Sequence, residues 1–162
     1  MVADETFRPA DAGDVPLLRW ATWTNLNWTG ETRISEAEVD QRPEFRHYWH
    51  DFPALGEFGV VALAGGDPVG VVWVRYSSEG EPSYGYVADD IPELSITVMD
   101  GLRGRGLGYR LLEEIEKEAL KRGLAGLSLS VEEGNPSKRL YLRRGFVPHD
   151  VQESPGTLIK RI

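Results

Sequence analysis

Cysteine is absent from this 162-residue sequence, which excludes a disulfide scaffold, a thiolate zinc site, an iron–sulfur cluster and a cysteine nucleophile. Long hydrophobic runs are absent too: no apolar segment approaches the roughly 20 residues that span a bilayer. Met1–Phe7 carries two acids and no basic stretch ahead of an apolar core, so no signal peptide is read there and a cytoplasmic location is expected. Positive charge is in deficit, 18 Lys and Arg against 26 Asp and Glu, and the net charge of −8 argues against general nucleic-acid binding. Histidines number only three. His47 and His50 stand at i, i+3 with no third ligand in view, so no metal site is expected, and His149 is expected at the surface. What is present is ordinary for a globular protein: 41% hydrophobic, 10% aromatic and 27% charged residues. The length predicts one domain, residues 1–162.

The basic residues are unevenly placed. Gly101–Arg110 holds Arg103, Arg105 and Arg110 without an acid, and Asn135–Val147 holds Lys138, Arg139, Arg143 and Arg144 without one. An acidic body with two acid-free basic patches suits a polyanionic ligand of limited size.

Along the chain, Phe7-Arg-Pro ends a short first strand, and Asp14 with Pro16 opens a helix to about Leu26. Ser35-Glu-Ala-Glu38 fits a capping box for a second short helix that stops before Pro43. Phe45, Tyr48, Trp49 and Phe52 fall at i, i+3, i+4 and i+7, which predicts further helical turns with an aromatic face. Phe58–Ala64 and Val69–Tyr76, separated by Gly65-Gly66-Asp67, read as a β-hairpin, and the polar stretch Ser77–Pro92 as a hairpin loop. The strand Glu93–Met99 alternates Leu94, Ile96 and Val98 with Glu93, Ser95 and Thr97. A long amphipathic helix follows, with Leu107, Leu111, Leu112, Ile115 and Ala119 as its buried stripe. Glu113/Lys117 and Glu118/Arg122 are its expected ion pairs, and Gly123 its end. Leu124–Val131 is a further strand, Asn135-Pro136 opens a second clear helix ended by Gly145, and Phe146–His149 and Thr157–Ile162 supply the last strands. The expected fold class is α/β, a mixed, mainly antiparallel sheet of about six to seven strands with helices on both faces.

Between the strand and the long helix lies Arg103-Gly-Arg-Gly-Leu-Gly108. A helix N-terminus presents unpaired N–H groups and about half a positive charge, which favours phosphate. Glycines without Cβ let that backbone approach a ligand, and Arg103 and Arg105 add charged donors at the rim. The pattern points to a pyrophosphate site. It is not a P-loop, because no Gly-Lys follows the glycines. A dinucleotide fingerprint fails in register, because Tyr109 stands where its third glycine would fall.

The same residues resemble the R/Q-x-x-G-x-G/A acetyl-CoA motif of the GNAT N-acetyltransferase superfamily, after a strand reading Pro92-Glu-Leu-Ser-Ile-Thr-Val98. Asn135-Pro-Ser-Lys-Arg-Leu-Tyr-Leu-Arg-Arg-Gly-Phe146 resembles its second motif, N-x-x-[S/A]-x-x-x-Y…G-F. The resemblance covers about Phe58 to Phe146, with the N-terminal helices, about residues 14–52, matching in outline. It implies a GNAT-like fold and acetyl-CoA as co-substrate, its pyrophosphate held by the main chain of Arg103, Gly104, Arg105, Gly106, Leu107 and Gly108. Its pantetheine arm would run as an added strand along Ile96, Thr97 and Val98, in a gap between the fourth and fifth strands. The N–H of Val98 would serve as an oxyanion donor, and Asn135 and Tyr141 would complete the cofactor set.

The resemblance further implies that Tyr141 donates a proton to the leaving thiolate, where periodicity alone reads a core residue beside Leu140 and Phe146. Glu93 is the candidate base, its pKa raised by burial, with Glu132 and Glu133 as rivals and water chains as a further route. The acceptor wall would be Trp20, Trp23, Trp28, Tyr48 and Trp49, with Asp89 and Asp90 nearby, suited to a cationic or hydrophobic amine. The implied partner is thus a small-molecule or peptide amine rather than nucleic acid or a membrane, and homodimers are frequent in the family. Two other classes stay open on the residues alone: a non-catalytic acyl-CoA-binding module, and a nucleotide-binding enzyme.

Overall fold

The computed structural model describes residues 4–149 and 155–162; Met1–Ala3, at the start of the stretch read as lacking a signal peptide, lie outside the described residues. The β-branched and alternating segments form one seven-stranded sheet. Its strands are β1 (Glu5–Pro9), β2 (Phe58–Ala64), β3 (Asp67–Arg75), β4 (Glu93–Val98), β5 (Gly126–Ser130), β6 (Val147–Pro148) and β7 (Thr157–Arg161), in spatial order β1-β2-β3-β4-β5-β7-β6. Every neighbouring pair is antiparallel except β4 and β5, which run parallel. Among the described residues the α-helices are α1 (Val15–Leu26), α2 (Glu36–Gln41), α3 (Pro43–Arg46), α4 (Leu107–Lys121) and α5 (Lys138–Arg143), with a 3-10 turn at Ala12–Asp14.

The two faces of the sheet carry separate cores, as the alternation along the strands requires. The α4 stripe from Leu107 to Ala119 is buried against Val72, Val74, Leu94 and Leu127 on one face. Each fully buried Leu or Ile there contributes about 1.5–3 kcal/mol. On the other face, Leu18 and Ala21 of α1 pack with Val61, Val71 and Trp73. The mixed, mainly antiparallel sheet with helices on both faces is therefore the architecture read from the sequence.

Several local expectations change. Asp14 stands at the N-cap position of α1 without capping it; its carboxylate accepts two hydrogen bonds from Arg8, each 2.8 Å, and one from the Asp11 N–H at 2.9 Å. The Arg8 guanidinium holds Asp14 below the usual carboxylate range. The Ser35–Glu38 capping box forms as expected, with Ser35 Oγ accepting from the Glu38 N–H at 3.1 Å. The aromatic segment is a single turn of helix, α3, continued by turns to His50, and it buries Phe45 and Phe52. The expected Glu113–Lys117 pair is replaced by Lys117 with Glu114 at 3.2 Å, whereas Glu118–Arg122 forms at 2.9 Å. Helix α5 begins at Lys138, later than Asn135-Pro136 predicts. Asn135 Oδ1 accepts from the Ser137 N–H at 3.0 Å, and the bonds from Lys138 and Arg139 reach back only three residues, so the first turn is tighter than an α-helix.

The parallel pair positions the site. Glu93 and Ser128 are the one registered pair between β4 and β5, so the strands part from Leu94 onward. The Met99 N–H donates to Val69 O across the β3 side, and the Ser128 N–H donates to Pro92 O across the β5 side. Strand alternation then turns the main-chain groups of Thr97 toward β3 and those of Leu94, Ile96 and Val98 toward the opening. An unpaired strand edge inside a fold has to find partners elsewhere.

Candidate active site

The glycine turn sits at the carboxyl end of β4, where crevices of α/β sheets collect ligands. Gly104 and Gly106 have φ of 80° and 83°, and a Cβ built on either meets nothing within 4 Å. These glycines are demanded by the left-handed backbone, which costs other residues about 1–2 kcal/mol. The space beside them is open to a ligand. Gly106 is the N-cap of α4 and no side chain caps this end, so the first N–H groups of the helix point into that space without a protein partner. Gly108 answers to a different demand: a Cβ there would lie 3.0 Å from Leu140 Cδ2. Its absence lets α4 close on α5, the helix that carries Tyr141.

A cavity of about 1120 Å³ runs from this turn along the β4–β5 opening and under the N-terminal helices. That exceeds the roughly 300–1,000 Å³ typical of a single-ligand pocket, so there is room for two reactants. Gly104, Gly106 and Gly108 line one end, Ile96, Val98, Asn135 and Tyr141 the middle, and Glu93 with Tyr48 and Tyr84 the other end. Of the residues expected to bind a cofactor, Ile96, Thr97, Val98, Arg103, Gly104, Gly106, Gly108, Asn135 and Tyr141 line this cavity, whereas Arg105 and Leu107 do not. Thr97 turns its main chain to β3 and its hydroxyl to Asn25 Oδ1 at 2.8 Å, on the α1 side. That bond fastens β4 to α1, and Thr97 lines the cavity all the same.

Tyr141 is buried, its ring edge-on to Phe146 with centroids 6.3 Å apart. Burial pushes its phenol up to about 12, so it stays protonated throughout the neutral range. Tyr141 is a core residue that also lines the cavity.

Glu93 is buried at the opposite end, and burial raises its carboxyl above the ordinary value against hydrogen bonds from Ser83, Tyr48 and the Gly85 N–H. The Tyr48 hydroxyl donates to the carboxylate, 2.9 and 3.1 Å from its two oxygens, while accepting from the Tyr84 N–H at 3.1 Å. With that backbone donor in place, the phenol's own proton is directed to Glu93. Burial and the adjacent carboxylate keep Tyr48 far above its ordinary pKa. Tyr48 is itself anchored from β3: Trp73 Nε1 donates to Tyr48 O at 2.7 Å, and Arg75 donates to the neighbouring carbonyl of His47 at 3.0 Å. The 77–92 segment is more than a hairpin loop. Ser128 Oγ donates to Gly85 O at 2.6 Å and Thr157 Oγ1 to Tyr84 O at 3.3 Å, so the loop is drawn over the sheet. A Cβ at Gly85 would lie 2.8 Å from the Glu93 carboxyl carbon.

The other candidates disperse. Glu132 pairs with Arg33 through two hydrogen bonds of 2.9 and 3.1 Å, which lowers its pKa and makes it a weaker base. Glu133 is exposed and does not line the cavity. Of the expected acceptor wall, Trp28 and Tyr48 line the cavity. Trp20 and Trp49 pack on the α1 core, and Trp23 Nε1 donates to Ile34 O at 3.0 Å. Asp89 accepts from Tyr86 OH at 2.5 Å within its own loop and, like Asp90, does not line the cavity. Phe45, Tyr84 and the Arg33–Glu132 pair join the wall unanticipated. His47 is half-buried, with burial and Arg75 lowering its pKa; His50 lies 3.1 Å from Asp51; His149 is half-buried rather than fully exposed.

Residues 19–146 match the model of the acetyltransferase (GNAT) family, and the chain belongs to that family. Among curated proteins no relative is found. Solved structures give the same fold. A GCN5-related N-acetyltransferase from Ralstonia eutropha JMP134 superposes with a TM-score of 0.72 at 23% identity, over 94% of this chain and 98% of that one. PaiA N-acetyltransferase from Thermoplasma acidophilum, in complex with coenzyme A, gives 0.70 at 18% identity over 98% and 99%. A GNAT family acetyltransferase from Brucella melitensis, in complex with acetyl-CoA, gives 0.60 at 18% over 99% and 89%.

Proposed function

We propose that the chain moves an acetyl group from acetyl-CoA to a primary amine by direct attack, and that residues 1–162 act as one domain. In this reading residues 58–147 form the acetyl-CoA core and residues 14–52 shape the acceptor side. The observation that carries it is the single cavity that joins the uncapped α4 terminus, the unpaired edge of β4, Tyr141 and Glu93.

The residues fit the co-substrate. The main chain from Arg103 to Gly108 would hold the pyrophosphate, with open space beside Gly104 and Gly106 where a diphosphate would approach. Ile96 and Val98 would pair with the pantetheine amides, and Asn135 would border the arm. Bound acetyl-CoA supplies an activated acetyl group and a thiolate leaving group. Glu93, directly or through a water, takes the proton from the attacking nitrogen. The Val98 N–H steadies negative charge on the acetyl oxygen. Tyr141 gives its proton to the departing sulfur as the C–S bond breaks and the C–N bond forms. With no cysteine in the chain there is no thiol to carry an acyl group.

The test is thiol release from acetyl-CoA across a panel of primary amines, with the acetylated product identified by mass. Turnover supports the reading. Thermal stabilisation by acetyl-CoA with no turnover on any amine would make the protein a binding module instead.

A further inference from the structure

Resting on that reading, we infer the class of the acceptor: a primary amine borne on an uncharged, apolar or aromatic body, with no carboxylate near the amine. The acceptor end of the cavity is walled by Leu26, Trp28, Ile34, Phe45 and Tyr84. Among the described residues its charged groups are Glu93, Glu132 and Arg33. The other cations lining the cavity, Arg103 and Arg143, stand at the cradle end, in the glycine turn and at the end of α5.

Arg33 commits three of its five N–H donors within the fold. Its Nη1 and Nη2 donate to the two oxygens of Glu132 at 3.1 and 2.9 Å, Nη2 donates again to Leu26 O at 2.7 Å, and the guanidinium lies over Trp28 at 5.9 Å. A bidentate guanidinium–carboxylate pair is among the stronger polar contacts. Drawing Arg33 to an acceptor carboxylate would leave Glu132 without its partner beside a second negative charge. Among the described residues the balance at this end is one unmatched carboxylate, Glu93, next to apolar walls. That field attracts a single ammonium and repels an acceptor carboxylate. A second ammonium on the same ligand would be desolvated against the walls without a counter-ion.

The experiment is calorimetric titration of the protein saturated with coenzyme A, using phenethylamine, phenylalanine and putrescine as probes. Phenethylamine is expected to bind at least about tenfold more tightly than either of the others. Equal or tighter binding of phenylalanine or putrescine, or no binding of any of the three, overturns the inference. Glu132→Gln, at an exposed position, frees Arg33. It is expected to draw the phenylalanine affinity toward that of phenethylamine, and an unchanged ratio contradicts the part assigned to the Arg33–Glu132 pair. Thiol release under the same conditions separates the two claims. The expected binding order without turnover sinks the acetyl-transfer reading alone, whereas turnover on phenylalanine in preference to phenethylamine sinks the acceptor class alone.

Discussion

At the cradle end of the cavity the groups on offer belong to the main chain: the first N–H groups of α4 and the outward edge of Ile96 and Val98. At the acceptor end they are side chains drawn from far apart, Tyr48 reaching Glu93 across 45 positions and Arg33 reaching Glu132 across 99. A main-chain site requires a backbone path, and only certain residues permit it, so its requirements are local. A side-chain site requires that distant elements pack correctly. The first tolerates exchange of exposed side chains. The second responds to a change at any one of its supports.

The comparison is broken most severely where the two ends meet the chemistry. Tyr141→Phe is expected to lower kcat by about 10²–10⁴-fold, measured by thiol release, with little change in acetyl-CoA affinity. A rate unchanged across pH would remove the acid role. Next comes the cradle. Gly106→Val places a β-branched residue at a φ of 83°, which costs at least about 1–2 kcal/mol, and projects a side chain into the open space. Acetyl-CoA binding is expected to weaken by about tenfold or more by calorimetry, while phenethylamine binding is retained. Equal loss at both ends would show that the ends are not separable.

Tyr48→Phe sharpens the comparison from the other side. Burial places the Glu93 pKa above the ordinary carboxylate value, and a base works only when ionised, so kcat/KM is expected to fall as pH drops through that raised pKa. Removing the phenol withdraws a hydrogen bond from the charged form, raises the pKa further and moves that limb to higher pH by about one unit. Acetyl-CoA affinity should not change. A stationary limb would mean that Glu93 is not the titrating base. The smallest effect is expected at Asp14→Asn, away from both ends. Its carboxylate is held below its usual value by Arg8, so the stability it adds is present above the ordinary Asp pKa and is lost as pH falls through the depressed one. The variant should lose about 1–2 kcal/mol by denaturant unfolding at neutral pH, with the deficit closing in acid. Binding of acetyl-CoA should be unaffected.

The legible part of this protein follows the same division. The α4 stripe, the alternation of β4 and the glycine turn each depend on residues within a few positions of one another, and each stands where the sequence puts it. Helix α5 starts later than Asn135-Pro136 predicts because the Asn135 side chain closes a turn of its own before the helix begins. Of the tryptophans expected in the acceptor wall, Trp28 lines the cavity while Trp20 and Trp49 serve the α1 core, since nothing in a one-dimensional pattern distinguishes the two faces that an amphipathic aromatic can join. Glu93 was visible as a strand-end carboxylate. That Tyr48 would grip it, itself anchored by Trp73 and flanked by the hold of Arg75 on His47, has no local signature. The available hints are the place of Tyr48 in the aromatic repeat and in the acceptor wall that the resemblance implies, and neither names its partner.

Backbone amide mapping by NMR during titration with acetyl-CoA tests the main-chain cradle most directly. The N–H signals of Ile96, Val98, Leu107 and Gly108 are expected to move, and that of Thr97, paired to β3, to move least among its neighbours. Shifts confined to other parts of the sheet, or none at all, would contradict it.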